Sequence, residues 1–367
     1  MQSARWTKIT AVLFSVYLVG MAGWAALRAP DAISTSERRP LATRPVLTWK
    51  DFLSGNFAED FETYALDQFP LRDPLRSFKA VTQFYLLQRL DKQGIYLADG
   101  HVAKLEYPLN SSSVQNAAQK LEAVLARLNL PQDSAVYAAV IPDKNFFLAA
   151  ANGYPALDYA EMQALFRTEL ASAHHIDLFD CLSLEDYYNG DPHWRQERLS
   201  SVVERLSLRM GFADRLSTDY TESLLGPFYG AYHGQAALPL PSESLHFLTS
   251  PLLTQATAYH FENHSTRPLY DLDKAAGLDA YDLFLSGASA LVTIENPAAS
   301  TDRELLLFRD SFGSSLAPLL LEAYAKITLI DLRYIHPDLL VEQIRTANAD
   351  VLFLYSSLLL NNSLSLR

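Results

Sequence analysis

Short apolar runs at residues 290–294, 304–308, 327–330 and 351–355 constrain the fold of this chain more than any other feature. Each is strand length, and helix-like stretches at 315–325 and 337–346 separate the last three. Runs that are apolar throughout belong to strands buried on both faces, and alternation with helices joins such strands as parallel neighbours. A further run at 135–141 ends in Pro142-Asp143-Lys144, followed by a helix-like stretch at 159–174 and a strand candidate at 176–179. The expected fold class is α/β, a mostly parallel sheet flanked by helices.

The N-terminus predicts an address. Arg5 and Lys8 precede residues 9–27, which carry no charge. As a helix that run would be about 28 Å long, close to the hydrocarbon thickness of a bilayer. Basic residues on its N-terminal side favour a cytoplasmic start, so an uncleaved signal anchor with the rest of the chain outside the cytoplasm is the expectation. A cleaved signal peptide is the alternative, although no clean Ala-x-Ala site follows. Residues 28–47, polar and rich in Ala, Pro, Ser and Arg, read as a linker. The expected organisation is an anchor at 1–27, a linker at 28–47 and one extracytoplasmic domain at 48–367.

Within that domain the pattern is helical over 48–90, with Phe69-Pro70-Leu71-Arg72-Asp73-Pro74 as a break and a second amphipathic stretch at 75–90 after it. A hairpin is expected around Asp99-Gly100, and a helix near 114–128. Residues 197–210 place Leu199, Val202, Val203, Leu206 and Met210 on one helical face. Residues 216–269 look irregular, a mixture of extended strands and loops.

Composition excludes several classes. A net charge of -12 argues against a nucleic-acid surface, and a single cysteine, Cys181, against a disulfide framework or a cysteine metal site. His174-His175 looks like the end of a helix and His336-Pro337 like a turn, and neither has further ligands at metal spacing. There is no glycine-rich phosphate loop or dinucleotide fingerprint. No metal or cofactor is implied.

Two segments carry the types of group that nucleophilic catalysis needs: Asp191-Pro192-His193-Trp194 and Asp310-Ser311-Phe312-Gly313. Ser311 follows a predicted strand and precedes a predicted helix, at the sheet edge where open α/β folds place ligands. It can serve as a nucleophile, or Ser311 or Asp310 can simply cap the helix. Asp191 and His193 can orient and activate a serine hydroxyl, or Asp191 and Pro192 can start a helix as cap and first residue. Trp194 would wall such a site. Tyr229, Tyr232 and His233 would either stack on sugars or pack in the core.

The segment Tyr187-Tyr188-Asn189-Gly190-Asp191-Pro192-His193-Trp194 resembles the YYxTDHHW signature of the DHHW family. Residues 309–315 followed by Ile330-Asp331-Leu332-Arg333-Tyr334 resemble that family's KDSYxxS…IDLRYY pattern, and Asp67-Gln68-Phe69-Pro70-Leu71-Arg72 its DQFPxRD region. The family is similar to the SGNH-hydrolase-like domain of alginate O-acetylation proteins, in which the Asp-His pair precedes the serine. The resemblance implies an SGNH-like fold in that permuted order, with Ser311 as nucleophile, His193 as general acid/base and Asp191 as its orienting carboxylate. Trp194, Tyr188 and Arg333 would contact substrate, and Gly287 would help hold an oxyanion. The chain departs from the pattern at Pro192, at Asp310 before the serine, and at Tyr355-Ser356-Ser357 where related chains carry Asn. The function implied is O-acetyl transfer to, or ester removal from, a cell-envelope polysaccharide, with a membrane acyl-donor protein as partner. The alternative is a catalytically inactive polysaccharide-binding or scaffold protein.

Overall fold

The computed structural model describes residues 2–87, 94–128, 130–131, 133–216, 219–344 and 348–367. The chain forms two compact units, Met1–Asp91 with His233–Leu240, and Lys92–Tyr232 with Pro241–Arg367. Residues 48–91, expected with the sheet domain, therefore group with the anchor and linker.

The first unit opens with a helix, Gln2–Leu27, within which Trp6–Leu27 is long and apolar enough to cross a membrane. The following segment is not the loose linker expected at 28–47. Ile33–Ser34 pairs with Arg39–Pro40, and the Gln68 amide bonds the backbone of Asp31 and Ala42. Arg39 grips Asp67 with both nitrogens, at 2.8 and 2.6 Å, and Glu37 receives Arg39, Arg72 and Arg76. Sequence periodicity cannot reveal this clamp, because its partners lie far apart in the chain. Helices Trp49–Ser54, Asn56–Asp67 and Arg72–Val81 complete the unit, and the last runs on as a π-turn, Thr82–Leu86. The final residues of the stretch expected at 75–90 lie outside the described residues.

The second unit is built on an eight-stranded sheet. Its strands in chain order are β1 (Val136–Ile141), β2 (His174–Asp177), β3 (Thr257–His260), β4 (Ser265–Pro268), β5 (Leu291–Glu295), β6 (Glu304–Arg309), β7 (Lys326–Ile330) and β8 (Ala349–Ser356). Their spatial order is β4-β3-β5-β7-β6-β8-β1-β2. The run β7-β6-β8-β1-β2 is parallel, as expected. The edge β4-β3-β5 is antiparallel, so the strand at 291–295 enters against β7 instead of continuing the parallel rhythm. No helix separates β5 from β6, and the short return between them is consistent with that reversal.

Strand alternation feeds two cores. Leu305 and Leu307 of β6 and Leu352 and Leu354 of β8 pack with Val202, Leu206, Leu316 and Leu319, from helices Ser200–Met210 and Phe312–Leu320. Leu306, Phe308, Val351 and Phe353 face the other way, onto Val114, Leu121, Met162 and Phe166 of helices Ser111–Leu125 and Tyr159–Glu169. Both faces are thus covered, which is why these strands read as unbroken apolar runs. The hairpin expected around Asp99-Gly100 is formed by Ile95–Ala98 and His101–Lys104. His174 and His175 open β2 and do not end a helix; Tyr159–Glu169 stops before them. His336 N-caps the helix Pro337–Gln343.

Candidate active site

β6 ends at Arg309, and the chain turns at once into the helix Phe312–Leu320. Gly313 is required at this turn, because a Cβ there would lie 2.6 Å from Arg309 Cβ. Capping falls to Asp310 alone. Its Oδ1 accepts the Phe312 N–H at 3.1 Å, while Oδ2 accepts the Ser356 N–H at 2.9 Å and the Ser356 hydroxyl at 2.6 Å. Ser311 makes no capping hydrogen bond. Its hydroxyl is left to project from the C-terminal edge of the sheet.

The second segment is a tight loop between Tyr187 and Trp194, which bridge in antiparallel fashion. Tyr188 N–H donates to the His193 carbonyl at 3.1 Å. Asp191 does not start a helix: its Oδ1 accepts the His193 N–H at 3.1 Å in an Asx turn, and the next helical turn begins at Gln196. Glu243 takes the N–H groups of Asn189 and Gly190 at 2.7 and 2.8 Å and pairs with Arg195 at 2.8 Å. Lys144 holds the loop from below, its ammonium donating to the carbonyls of Val102, Tyr188 and Asn189 at 2.5, 3.0 and 2.9 Å. Burial pushes the Lys144 pKa down to about 7, against the pull of Asp191 and Glu243.

These two segments meet. His193 Nδ1 lies 2.6 Å from Asp191 Oδ1, and His193 Nε2 lies 2.7 Å from Ser311 Oγ. An ionised carboxylate only accepts, so Nδ1 carries the proton and Nε2 is free to accept from the serine. The Asp191 side chain is 1% exposed and that of His193 14%, so the carboxylate is dry and the imidazole edge reaches solvent. Asp191 Oδ2 accepts the Ala231 N–H at 2.7 Å. The imidazole stacks on Tyr281, with centroids 4.0 Å apart and planes 12° apart, and also touches Phe312. The ring is thus held by two aromatic contacts as well as by its hydrogen bonds.

The residues expected to contact substrate are placed otherwise. Trp194 is fully buried; its indole N–H donates to the Phe312 carbonyl at 3.1 Å and the Ser315 hydroxyl at 2.9 Å, supporting the helix from beneath. Tyr188 is buried against Phe228 and Tyr281. Arg333 spends its fork on Asp331, at 2.9 and 2.6 Å. Gly287, expected as an oxyanion donor, gives its N–H to the Phe284 carbonyl at 3.2 Å. Its positive φ of 86° and the proximity of Asp282 explain the glycine without catalysis. In the turn, Phe312 and Gly313 donate to Asp310 and Ser314 to Ser311, and among the described residues the Ser311 N–H, beside the hydroxyl, has no hydrogen-bond acceptor. Of the aromatics in the irregular region, Tyr229 is exposed and Tyr232 is buried under the Lys144 ammonium.

Sequence reasoning missed Tyr281, Glu243, Lys144 and the Gly230-Ala231 pair. Gly230 has a definite role: a Cβ there would fall 2.2 Å from the Gly190 carbonyl oxygen and 2.5 Å from Asp191 Cβ. Only glycine lets the following N–H reach the carboxylate. Nothing in its sequence neighbourhood signals this.

No family model and no curated protein matches the chain in sequence. Solved structures do match in fold. A DHHW family protein from Eubacterium siraeum aligns with TM-score 0.56 and 18% identity, over 74% of this chain and 93% of that one. Bacillus cereus PatB1, in a structure with a sulfonyl adduct, aligns with TM-score 0.57 and 17% identity, over 74% of this chain and 97% of that one. A second structure of PatB1 aligns with TM-score 0.55. In fold as well as in its Asp-x-His-Trp and Asp-Ser segments, the chain resembles the DHHW family.

Proposed function

We propose that this chain is an acyl-transfer enzyme of SGNH-like type, moving acetyl groups on a cell-envelope polysaccharide through an acyl-serine intermediate. The observation that carries the reading is the unbroken hydrogen-bonded line Asp191–His193–Ser311. Capping, the competing explanation of Ser311, is performed by Asp310, so the serine hydroxyl has no structural duty of that kind. The order of the site in the chain, Asp-His before Ser, agrees with the permuted alginate-type domain that the motifs resemble.

In the proposed mechanism His193 Nε2 accepts the Ser311 proton as Oγ attacks an ester carbonyl. Asp191 stabilises the imidazolium that forms and holds its tautomer. The Ser311 N–H is the donor best placed for the oxyanion. Collapse breaks the bond to the donor alcohol, which leaves with the proton from His193, and the acyl group stays on Oγ. A sugar hydroxyl then loses its proton to His193 and attacks the acyl-serine; as the acyl–Oγ bond breaks, His193 returns that proton to Ser311 Oγ, and water in place of the sugar gives hydrolysis. The apolar N-terminal helix fits an anchor that keeps the site outside the cytoplasm, where a membrane protein would supply the acyl donor.

A second reading, a polysaccharide-binding or scaffold protein without turnover, is favoured by one observation: the Gly287 N–H is already engaged. A chromogenic acetyl ester with an added oligosaccharide acceptor separates the two. Acyl transfer or hydrolysis that disappears in Ser311→Ala supports the enzyme. Turnover surviving in Ser311→Ala, or none with the wild type, rejects it.

A further inference from the structure

We propose that the helices of the N-terminal unit lie on the lipid bilayer, as an interfacial collar around the point where the Trp6–Leu27 helix leaves it. Exposure in this unit is anomalous. The helix Trp49–Ser54 buries no residue, with Trp49 at 81% and Leu53 at 80% exposure. Phe78 and Leu86, farther along, are exposed to 73% and 76%. Leu47, Thr48, Trp49 and Phe52 line an apolar hollow of about 380 Å³. So many large apolar side chains left in water within one small unit mark a surface that something covers.

The tether says what covers it. The span ends at Leu27, and Asp31 is already bonded to Gln68, at the end of the helix Asn56–Asp67. Four residues reach no farther than about 14 Å. The headgroup layer is itself roughly 5–8 Å deep on each side of the hydrocarbon, so the clamped helices cannot leave its neighbourhood. The Arg39–Asp67 and Glu37 ion pairs make the clamp firm. Exposed Trp, Phe and Leu side chains, with the exposed Lys50 and Lys79 in the same helices, are those that settle at a membrane interface with their charges in the headgroups. A bilayer is therefore a surface that this unit meets by construction.

The test uses the full-length chain carrying Cys181→Ser, with single cysteines introduced as Phe52→Cys, Phe78→Cys or Glu161→Cys. Each is labelled with an environment-sensitive fluorophore and reconstituted in phosphatidylcholine/phosphatidylglycerol vesicles containing shallow doxyl-labelled lipid. Glu161 is an exposed position of the sheet-bearing unit and serves as the control. The expected result is a blue shift and loss of emission at 52 and at 78, and neither at 161. Emission at 52 or 78 that the doxyl lipid leaves unchanged overturns the proposal. So does shielding that is seen equally in detergent and grows with protein concentration, which would assign the surface to a second copy of the chain.

Discussion

Gly230→Ala is a small change that tests whether the catalytic geometry is held by backbone contact. The added methyl would stand 2.2 Å from the Gly190 carbonyl oxygen and 2.5 Å from Asp191 Cβ. Carbon contacts settle near 3.5 Å, so the two backbones must part by about 1 Å. That displacement stretches the 2.7 Å bond from Ala231 N–H to Asp191 Oδ2 and moves the loop that aims His193 at Ser311. Overpacking of this kind costs about 1–3 kcal/mol of stability. A misplacement of about 1 Å in a reacting constellation costs on the order of 100-fold in rate. Gly211→Ala is the matched control. Gly211 ends the helix Ser200–Met210 at φ +74° with open space around it, so alanine there costs about 1 kcal/mol through backbone strain alone. Measured well below both melting temperatures, kcat on an acetyl ester should fall about 100-fold in Gly230→Ala and stay near wild type in Gly211→Ala. A Gly230→Ala protein with wild-type kcat and wild-type Tm would refute the reasoning.

Three further outcomes follow from the same contacts. Asp191→Asn keeps the shape of the loop but removes the charge that fixes the His193 tautomer, so kcat should drop about 10³- to 10⁴-fold with little change in fold by circular dichroism. Trp194→Phe loses the indole donor to Phe312 O and Ser315 Oγ; urea unfolding should show a loss of about 1–3 kcal/mol, and KM should stay unchanged because the ring meets no solvent. The bond from Arg39 holds the Asp67 carboxyl down at about 2, below the usual carboxylate range. A depressed carboxylate adds stability above its unfolded pKa and loses it as pH falls through the folded one. The N-terminal unit should therefore weaken between about pH 4 and pH 2, by about 1–2 kcal/mol after allowance for the exposed Arg39, and Asp67→Asn should flatten that dependence in acid titrations followed by fluorescence.

The parts of this molecule legible in its sequence are those set by residue type and period. β6, β7 and β8 are apolar at nearly every position because helices cover both faces, and that pattern survives in the bare sequence. Asp191, His193 and Ser311 could be singled out because their chemistry is particular to those side chains. Their capping alternatives could not be settled without knowing that Asp310 takes the Phe312 N–H. Strand direction was not legible: 290–294 reads as one more buried strand, and its antiparallel sense depends on the return to β6. Nor was the side a residue presents. Trp194 and Tyr188 read as substrate contacts in the sequence, yet both are fully buried. The proposed oxyanion donor, the Ser311 N–H, is a backbone group, which any residue type can supply. The domain boundary was misplaced because the clamp joins Glu37 and Arg39 to Asp67, Arg72 and Arg76 across an interval with no periodic signal.

The central claim is that Ser311 is a nucleophile activated by His193, and covalent trapping tests it most directly. Incubation with a sulfonyl fluoride, followed by intact-mass and peptide mass spectrometry, should place one sulfonyl group on Ser311. His193→Ala should slow its appearance by at least about 100-fold. A wild-type protein that stays unmodified, or a Ser311 adduct that forms as fast without His193, would contradict the account.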